Sequence, residues 1–312
     1  MSGDSERPVS LPARRADASG AAATTGNLWL AGLRALWASL PWSAGWLLSE
    51  ALQGPSERFA GVAGGGAWAF WALGLTAVLV PHTVSLTALR ILAPGVLAAV
   101  GWAAAVTGAT GAAAVGLACG AVVTVGVLSP LVGDRFIDAT SYGHERRLAL
   151  RAPAPVLVGV LVPTWALTLG GMAAGPLLWA AGHWVLGPLV TVAGWLIAVA
   201  GMRALHGLAR RWLVYVPAGL VLHDRLALAE PTLFRRPVIA AFGPAPAASD
   251  ARDFTAGAGG LLFELRLTEP VTLTPARSGG APEKVQALLV APTRPAAVLA
   301  EARKRRIPTS AN

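Results

Sequence analysis

The stretch ILAPGVLAAVGWAAAVTGATGAAAVGLACGAVVTVGVLSPLVG, Ile91–Gly133, runs for 43 residues without a charged side chain. A helix rising about 1.5 Å per residue needs about 20 apolar residues to cross a hydrocarbon layer of about 30 Å. This run therefore holds two crossings, with Gly108-Ala109-Thr110-Gly111 as the natural turn between them. Two further charge-free runs flank it, Phe59–Leu89 of 31 residues and Ala152–Met202 of 51. They accommodate one and two crossings. The expected fold class is an α-helical multi-pass membrane bundle, with helices near 61–81, 92–108, 111–129, 155–179 and 184–204.

Composition points the same way. The chain is 54% hydrophobic and 13% charged, where a soluble chain carries about a quarter charged residues. The single cysteine, Cys119, excludes an internal disulfide and a cysteine-rich zinc site, and its apolar setting predicts a packed thiol. The first 27 residues mix Arg7, Arg14 and Arg15 with Asp4, Glu6 and Asp17 and lack the apolar run of a signal peptide. They read as a disordered leader, 1–27.

Arginine placement sets the expected orientation. The connection 130–154 holds Arg135, Arg146, Arg147 and Arg151, and Arg203, Arg210 and Arg211 follow the last helix, whereas the turns at 108–110 and 180–183 hold no Lys or Arg. The arginine-rich side is cytoplasmic by the positive-inside rule, and Arg90 falls on that side as well. Residues 28–58 are rich in Trp (Trp29, Trp37, Trp42, Trp46) but interrupted by Arg34 and Pro41. They read as an interfacial helix or hairpin, with a sixth crossing as the alternative. The pairs Gly61/Gly65, Gly116/Gly120 and Gly171/Gly175 have the spacing that allows helices to approach closely. No charged residue falls within the expected membrane core, which argues against ion-coupled transport.

The connecting loop carries the residues that look chemical. Asp134 and Asp138, four apart, share a face if helical, and with His144 or Glu145 they supply oxygen and nitrogen ligands for a divalent cation. The competing reading is a salt-bridged interfacial loop. Arg146 and Arg147, together with Arg210, Arg211 and Trp212, are candidates for contact with lipid phosphates. His223 and Asp224 read as a strand end or turn. No catalytic residue and no cofactor are expected, since Ser141 and His144 form no dyad by proximity alone and no GxSxG elbow is present.

After residue 210 the apolar runs give way to short β-favouring segments: 212–216, 220–222, 232–234, 238–242, 261–267, 271–273 and 285–290. The Gly/Pro/Ala-rich stretch 243–260 reads as a connection, and a helix over 294–306 opens at Thr293 as N-cap. Residues 211–308 therefore read as a small cytoplasmic β-rich domain closed by a helix, a pattern that weakly resembles a pleckstrin-homology-like domain. Residues 203–312 hold 15 Lys or Arg against 8 Asp or Glu. Anionic lipid explains that excess without nucleic acid, for which no recognition module is present.

Three segments, Pro130–Arg151, Arg210–Asp224 and the ending Pro292-Thr293-Arg294-Pro295…Arg303-Lys304-Arg305-Arg306-Ile307-Pro308, resemble an uncharacterised group of actinobacterial multi-pass membrane proteins. The resemblance spans about residues 60–308. It implies a bacterial plasma-membrane location and brings no substrate. The expected function is a membrane-anchored interaction or scaffolding protein at the inner leaflet, with lipids and an unidentified cytoplasmic protein as partners. A transporter, or a metal-dependent membrane enzyme using loop 134–147, is the alternative.

Overall fold

The structure, a computed structural model, describes residues 27–108, 110–276 and 281–310. Apart from Asn27, the expected leader lies outside the described residues. Five helices are long and apolar enough to cross a membrane. In our numbering they are α2 (Glu57–Leu79), α3 (Thr83–Thr107), α4 (Thr110–Leu128), α6 (Val156–Ala180) and α7 (Leu186–Ala209). Helix α3 starts nine residues earlier than the expected 92, because His82 is extended and its Nδ1 accepts the Val84 amide as a cap. Gly108, at φ +65°, ends it in the left-handed conformation that glycine adopts without strain.

Residues 27–51 form a further helical rod, α1, which includes a π-turn at Pro41–Gly45 and the helix Trp46–Ala51. Pro41 opens that π-turn and lacks the N–H that would bond back to the Trp37 carbonyl, which accepts instead from Trp71. Leu33, Trp37, Leu40, Ala44, Leu47 and Ala51 are all buried. Their alternating spacing of four and three places them on a single seam. The rod lies along the bundle. Leu33 sits against Gly126 and the Ser43 carbonyl against Gly116, so α1 runs antiparallel to α4. Against α2, Trp37 Nε1 donates to the Trp71 carbonyl at 3.0 Å, and Trp71 Nε1 donates to the Trp37 carbonyl at 3.1 Å. Gly74 makes room for this exchange, since a Cβ there would fall within the Trp37 ring.

Arg34 does not sit mid-span. Its Nε donates to the Val78 carbonyl at 3.2 Å, in the last turn of α2, where unpaired carbonyls and the helix dipole favour a cation. Asn27 accepts from Arg135 at 2.7 Å, so the start of α1 reaches the same end of the bundle as the connecting loop. With about 25 residues, α1 is about 37 Å long and matches its neighbours.

Helices α6 and α7 form a hairpin with close backbone contact. A Cβ on Gly171 would strike the Gly194 carbonyl, and one on Gly175 would strike Thr191. Gly116 and Gly120 face Val100, Val96 and Leu97 of α3, while Gly61 and Gly65 face open space. Two of the three glycine pairs thus lie at helix contacts. Trp165 of α6 donates to the Ile91 carbonyl of α3 at 2.8 Å, one turn before Pro94.

The connection 130–154 is more than a loop. Helix α5 (Pro130–Asp138) opens with Ser129, whose hydroxyl accepts the Val132 amide, and β1 (Arg146–Ala149) follows. Strand β1 pairs antiparallel with β2 (Arg211–Val216), which pairs with β3 (Gly219–Asp224), and β3 with β4 (Thr232–Arg235). The α6–α7 hairpin is therefore inserted between two neighbouring strands of one sheet. The second sheet has the order β5-β7-β8-β6, comprising β5 (Ile239–Pro244), β6 (Arg252–Asp253), β7 (Phe263–Leu273) and β8 (Glu283–Val290). The expected strands 261–267 and 271–273 are one strand, β7, whose register shifts between Arg266 and Val271. Helix α8 (Pro295–Lys304) closes the domain. Thr293 does not cap it; its amide and its hydroxyl both donate to the Ala149 carbonyl of β1.

The first sheet is buried on both faces, as the nearly unbroken apolar run of β2 suits. Ala149, Trp212 and Val214 join the bundle core with Val132, Phe136 and Ile137 of α5. Leu148, Leu213, Tyr215, Leu220, Leu222 and Phe234 join the second sheet in another core.

Replacing Gly74 with Ala expels the Trp37 ring and breaks both Trp–carbonyl bonds. The expected loss is about 1–3 kcal/mol, read as a lower thermal midpoint in detergent, whereas Gly61→Ala, facing open space, leaves the midpoint unchanged.

Candidate functional site

The groups singled out in the connection 134–147 gather at the seam between bundle and sheets, but most are already engaged with one another. Asp134 points inward from α5 and is 1% exposed. Its carboxylate accepts the Ala149 amide of β1 at 3.0 Å and the Arg294 guanidinium at 3.1 Å. Arg90 of α3 comes close enough to Gly133 that its guanidinium would touch a Cβ there, and its charge acts on Asp134. Burial holds the Asp134 carboxyl above the usual carboxylate range, against the opposing pull of Ala149 and Arg294.

Asp138 ends α5 on a different set of partners. It accepts the Arg147 amide at 2.9 Å and the Ser141 hydroxyl at 3.2 Å, and it pairs with the Arg146 guanidinium. Glu145 pairs with Arg147 at 3.1 Å, and Arg147 also donates to Thr140. The His144 carbonyl accepts from Arg305 at 2.6 Å, and Arg305 in turn pairs with Glu301 of α8. An open polar groove of about 630 Å³ lies here, lined by Asp138, His144, Glu145, Arg146, Glu301, Lys304 and Arg305. Asp134, Asp138, His144 and Glu145 do not converge. Among the described residues no group of three or more His, Cys, Asp or Glu side chains is placed to hold a metal ion. In place of a cation held by Asp134 and Asp138 with His144 or Glu145, the described residues form a network in which an arginine pairs with each acid.

The lipid-contact candidates are also redistributed. Arg211 is 2% exposed, with its Nε shared between the two Asp224 oxygens at 2.9 Å and its terminal nitrogens on Asp224, the Arg151 carbonyl and the Thr255 carbonyl. It fastens β2 to β3 and to the 255 loop, and it does not reach solvent or lipid. Trp212 is buried beneath the bundle and stacks on His223 with ring centres 4.7 Å apart, while Arg147 lies over it at 5.9 Å. Arg210 alone of these three keeps partial exposure. Tyr215 is likewise internal. Its hydroxyl donates to the Val298 carbonyl of α8 at 2.7 Å, and burial drives its ionisation far above the usual range.

His223 is half-buried, and its Nε2 is enclosed with no hydrogen-bond partner among the described residues. Desolvation, reinforced by Arg210, Arg225 and Arg147 and opposed by Asp224, holds its pKa below the ordinary 6.5. Sequence reasoning missed two participants in this seam, Arg90 and Arg294. Each was visible as an isolated arginine next to an apolar segment, but its partner lies 44 or 160 residues away.

No protein-family model matches the chain, and no curated protein or solved structure resembles it significantly.

Asp134→Ala leaves the Arg294 charge and the Ala149 amide without their acceptor, an expected loss of about 3–5 kcal/mol. Asp138→Ala, at a more exposed pair, costs about 1 kcal/mol or less. Thermal unfolding of both variants in detergent checks the order, and equal losses would remove Asp134 from its central position. A second expectation concerns pH. The unfolded chain protonates His223 near the ordinary value while the fold resists it. Stability therefore falls as pH drops through about 6.5. His223→Gln should show a shallower decline over the same range.

Proposed function

We propose that this chain is a multi-pass protein of a bacterial plasma membrane that displays a rigidly mounted β-domain at the inner leaflet, where it serves as an interaction platform. The observation that carries this reading is the first sheet, which shares one face with the helical bundle and the other with the second sheet. A domain held in this way keeps a fixed attitude to the bilayer, unlike one on a flexible tether. The segment 146–151 ties the two sheets together: the Leu150 amide donates to the Arg211 carbonyl and the Arg151 amide to the Ala291 carbonyl.

The strand pattern supports a pleckstrin-homology-like reading of the domain. Four strands, β1 to β4, form an antiparallel meander; β5, β7 and β8 form a second antiparallel set; and α8 follows the last strand. The arginines on the sheet side of the bundle support a cytoplasmic placement. The course of α1 supports six crossings, which put the start of α1 on the same side as the β-domain. Chemistry in loop 134–147 has less support, because its carboxylates are committed to Arg146, Arg147 and Arg294.

Single cysteines introduced at Gln53, Tyr142, His183 and Arg303 in a Cys119→Ala background test this topology with a membrane-impermeant maleimide. Positions 53 and 183 should label on intact cells, and 142 and 303 only after the membrane is opened. Labelling of 142 or 303 from outside would overturn the inner-leaflet reading, and a further cysteine at the exposed Leu28 should stay protected on intact cells, since its labelling there would return α1 to a non-spanning role.

A further inference from the structure

The bundle-facing side of the first sheet extends past the bundle. Residues directly opposite across antiparallel strands share a face, so the row Val214–Val221–Leu233 leads from β2 through β3 to the edge strand β4. Val214 and Val221 lie in or against the bundle core, whereas Leu233 is 41% exposed. The next row, Val216–Gly219–Arg235, ends on an exposed arginine. Leu226, 40% exposed, and Arg225 stand in the turn between β3 and β4, and Arg236 follows β4 directly.

Charge on this edge is lopsided. Between Asp224 and Asp250 the chain carries Arg225, Arg235 and Arg236 against a single acid, Glu230. Arg210 and Arg225 directly precede and follow the paired Arg211 and Asp224 at one end of β3, and Arg235 stands opposite Gly219 at the other end. None of Arg210, Arg225, Arg235 and Arg236 enters an ion pair among the described residues, in contrast to Arg146, Arg147, Arg211, Arg294 and Arg305. The level of this edge follows from connectivity. β2 begins two residues after the end of the spanning helix α7, so the sheet lies at headgroup depth and its bundle-facing side looks back at the bilayer.

Building on the membrane topology above, we infer that the β3–β4 edge, with Leu226 and Leu233 flanked by Arg210, Arg225, Arg235 and Arg236, binds the anionic phospholipid headgroups of the membrane that holds the bundle. Exposed leucines between two groups of arginines that form no ion pair among the described residues suit the boundary between acyl chains and phosphates, where the arginine stems lie against hydrocarbon and the guanidinium forks reach phosphate oxygens. A soluble polyanion meets such charge equally well, but the apolar residues and the orientation toward the bundle favour lipid. The edge also gains a cover, since among the described residues β4 has no strand on its outer side.

The test uses the full chain in nanodiscs of phosphatidylcholine, with and without phosphatidylglycerol, and reads amide hydrogen exchange over residues 225–236. Phosphatidylglycerol should slow exchange in this segment on the order of tenfold, and an Arg225→Gln/Arg235→Gln/Arg236→Gln variant should lose that protection. All three positions are exposed, so the variant keeps its fold, which unchanged exchange in β2 and β7 verifies. Exchange indifferent to phosphatidylglycerol, or equal protection in the variant, overturns the inference while leaving the membrane topology intact. Failure of the chain to enter nanodiscs overturns the topology instead. Inorganic phosphate that reproduces the protection in phosphatidylcholine discs assigns the site to a free anion and overturns the lipid assignment.

Discussion

The Asp134 carboxylate is the point on which the two halves of the molecule meet. It lies on α5, receives the backbone of β1 through Ala149, holds Arg294 at the threshold of α8 and sits within the field of Arg90 from α3. A carboxylate taken out of water costs several kcal/mol unless its lone pairs are engaged. Here the acceptors are engaged by groups from two elements, β1 and the start of α8, while Arg90 of α3 adds its charge. An arrangement that disperses any of them leaves a buried charge exposed to that cost. The net energy of such a cluster is modest, but its demand for one geometry is strong. It fixes where β1 lies, and β1 fixes the register of β2.

From that register follows the burial of the first sheet on both sides. The side chains of β2 alternate between the bundle core, through Trp212 and Val214, and the domain core, through Leu213 and Tyr215. A slip of one residue would exchange these sets and bring Arg211 out of its bonds with Asp224. Arg211 and Asp224 stand opposite each other across β2 and β3, so the ion pair and the hydrophobic alternation select the same register. The domain therefore behaves as an extension of the helical bundle. Its orientation to the bundle is set by packing and not by a linker.

Much of this was legible in the chain, for a physical reason. Bilayer thickness imposes a length on apolar runs, and a run such as Ile91–Gly133 fits paired membrane spans and little else. The alternation of Phe263, Leu265 and Leu267 with Glu264 and Arg266 marks a strand just as directly. What escaped were features whose meaning depends on distant partners. Four residues, Arg146–Ala149, carry no strand signal strong enough to stand alone, and their partner strand begins only after a helical hairpin. In α1, Arg34 and Pro41 suggested an interrupted segment. The Val78 carbonyl accommodates the first and a π-turn the second, while the seam from Leu33 to Ala51 was present in the spacing throughout. At the candidate site the residue types were right and the pairing was not. Nothing in sequence spacing distinguishes an acid waiting for a metal from an acid already held by an arginine 160 residues away.

The arginines divide into two populations, and the division bears on function. Arg151, Arg211, Arg294 and Arg305 direct their donors to backbone carbonyls or buried acids and act as internal fasteners. Such residues add to net positive charge without projecting it. Arg210, Arg225, Arg235 and Arg236 form no ion pair among the described residues, and they stand at the two ends of β3, the first two beside the Arg211–Asp224 pair and the last two beside Gly219. A positive bias that served orientation alone would need only arginines near helix ends, and Arg203 and the connecting loop already supply those. The extra charge lies beyond the helices, on a strand whose companion residue Leu233 is left uncovered. An apolar side chain beside cations that form no ion pair is costly in water and favourable at a headgroup boundary. If the edge meets lipid as inferred above, Leu233 and Arg235 make the membrane a third packing surface for the sheet, after the bundle and the second sheet.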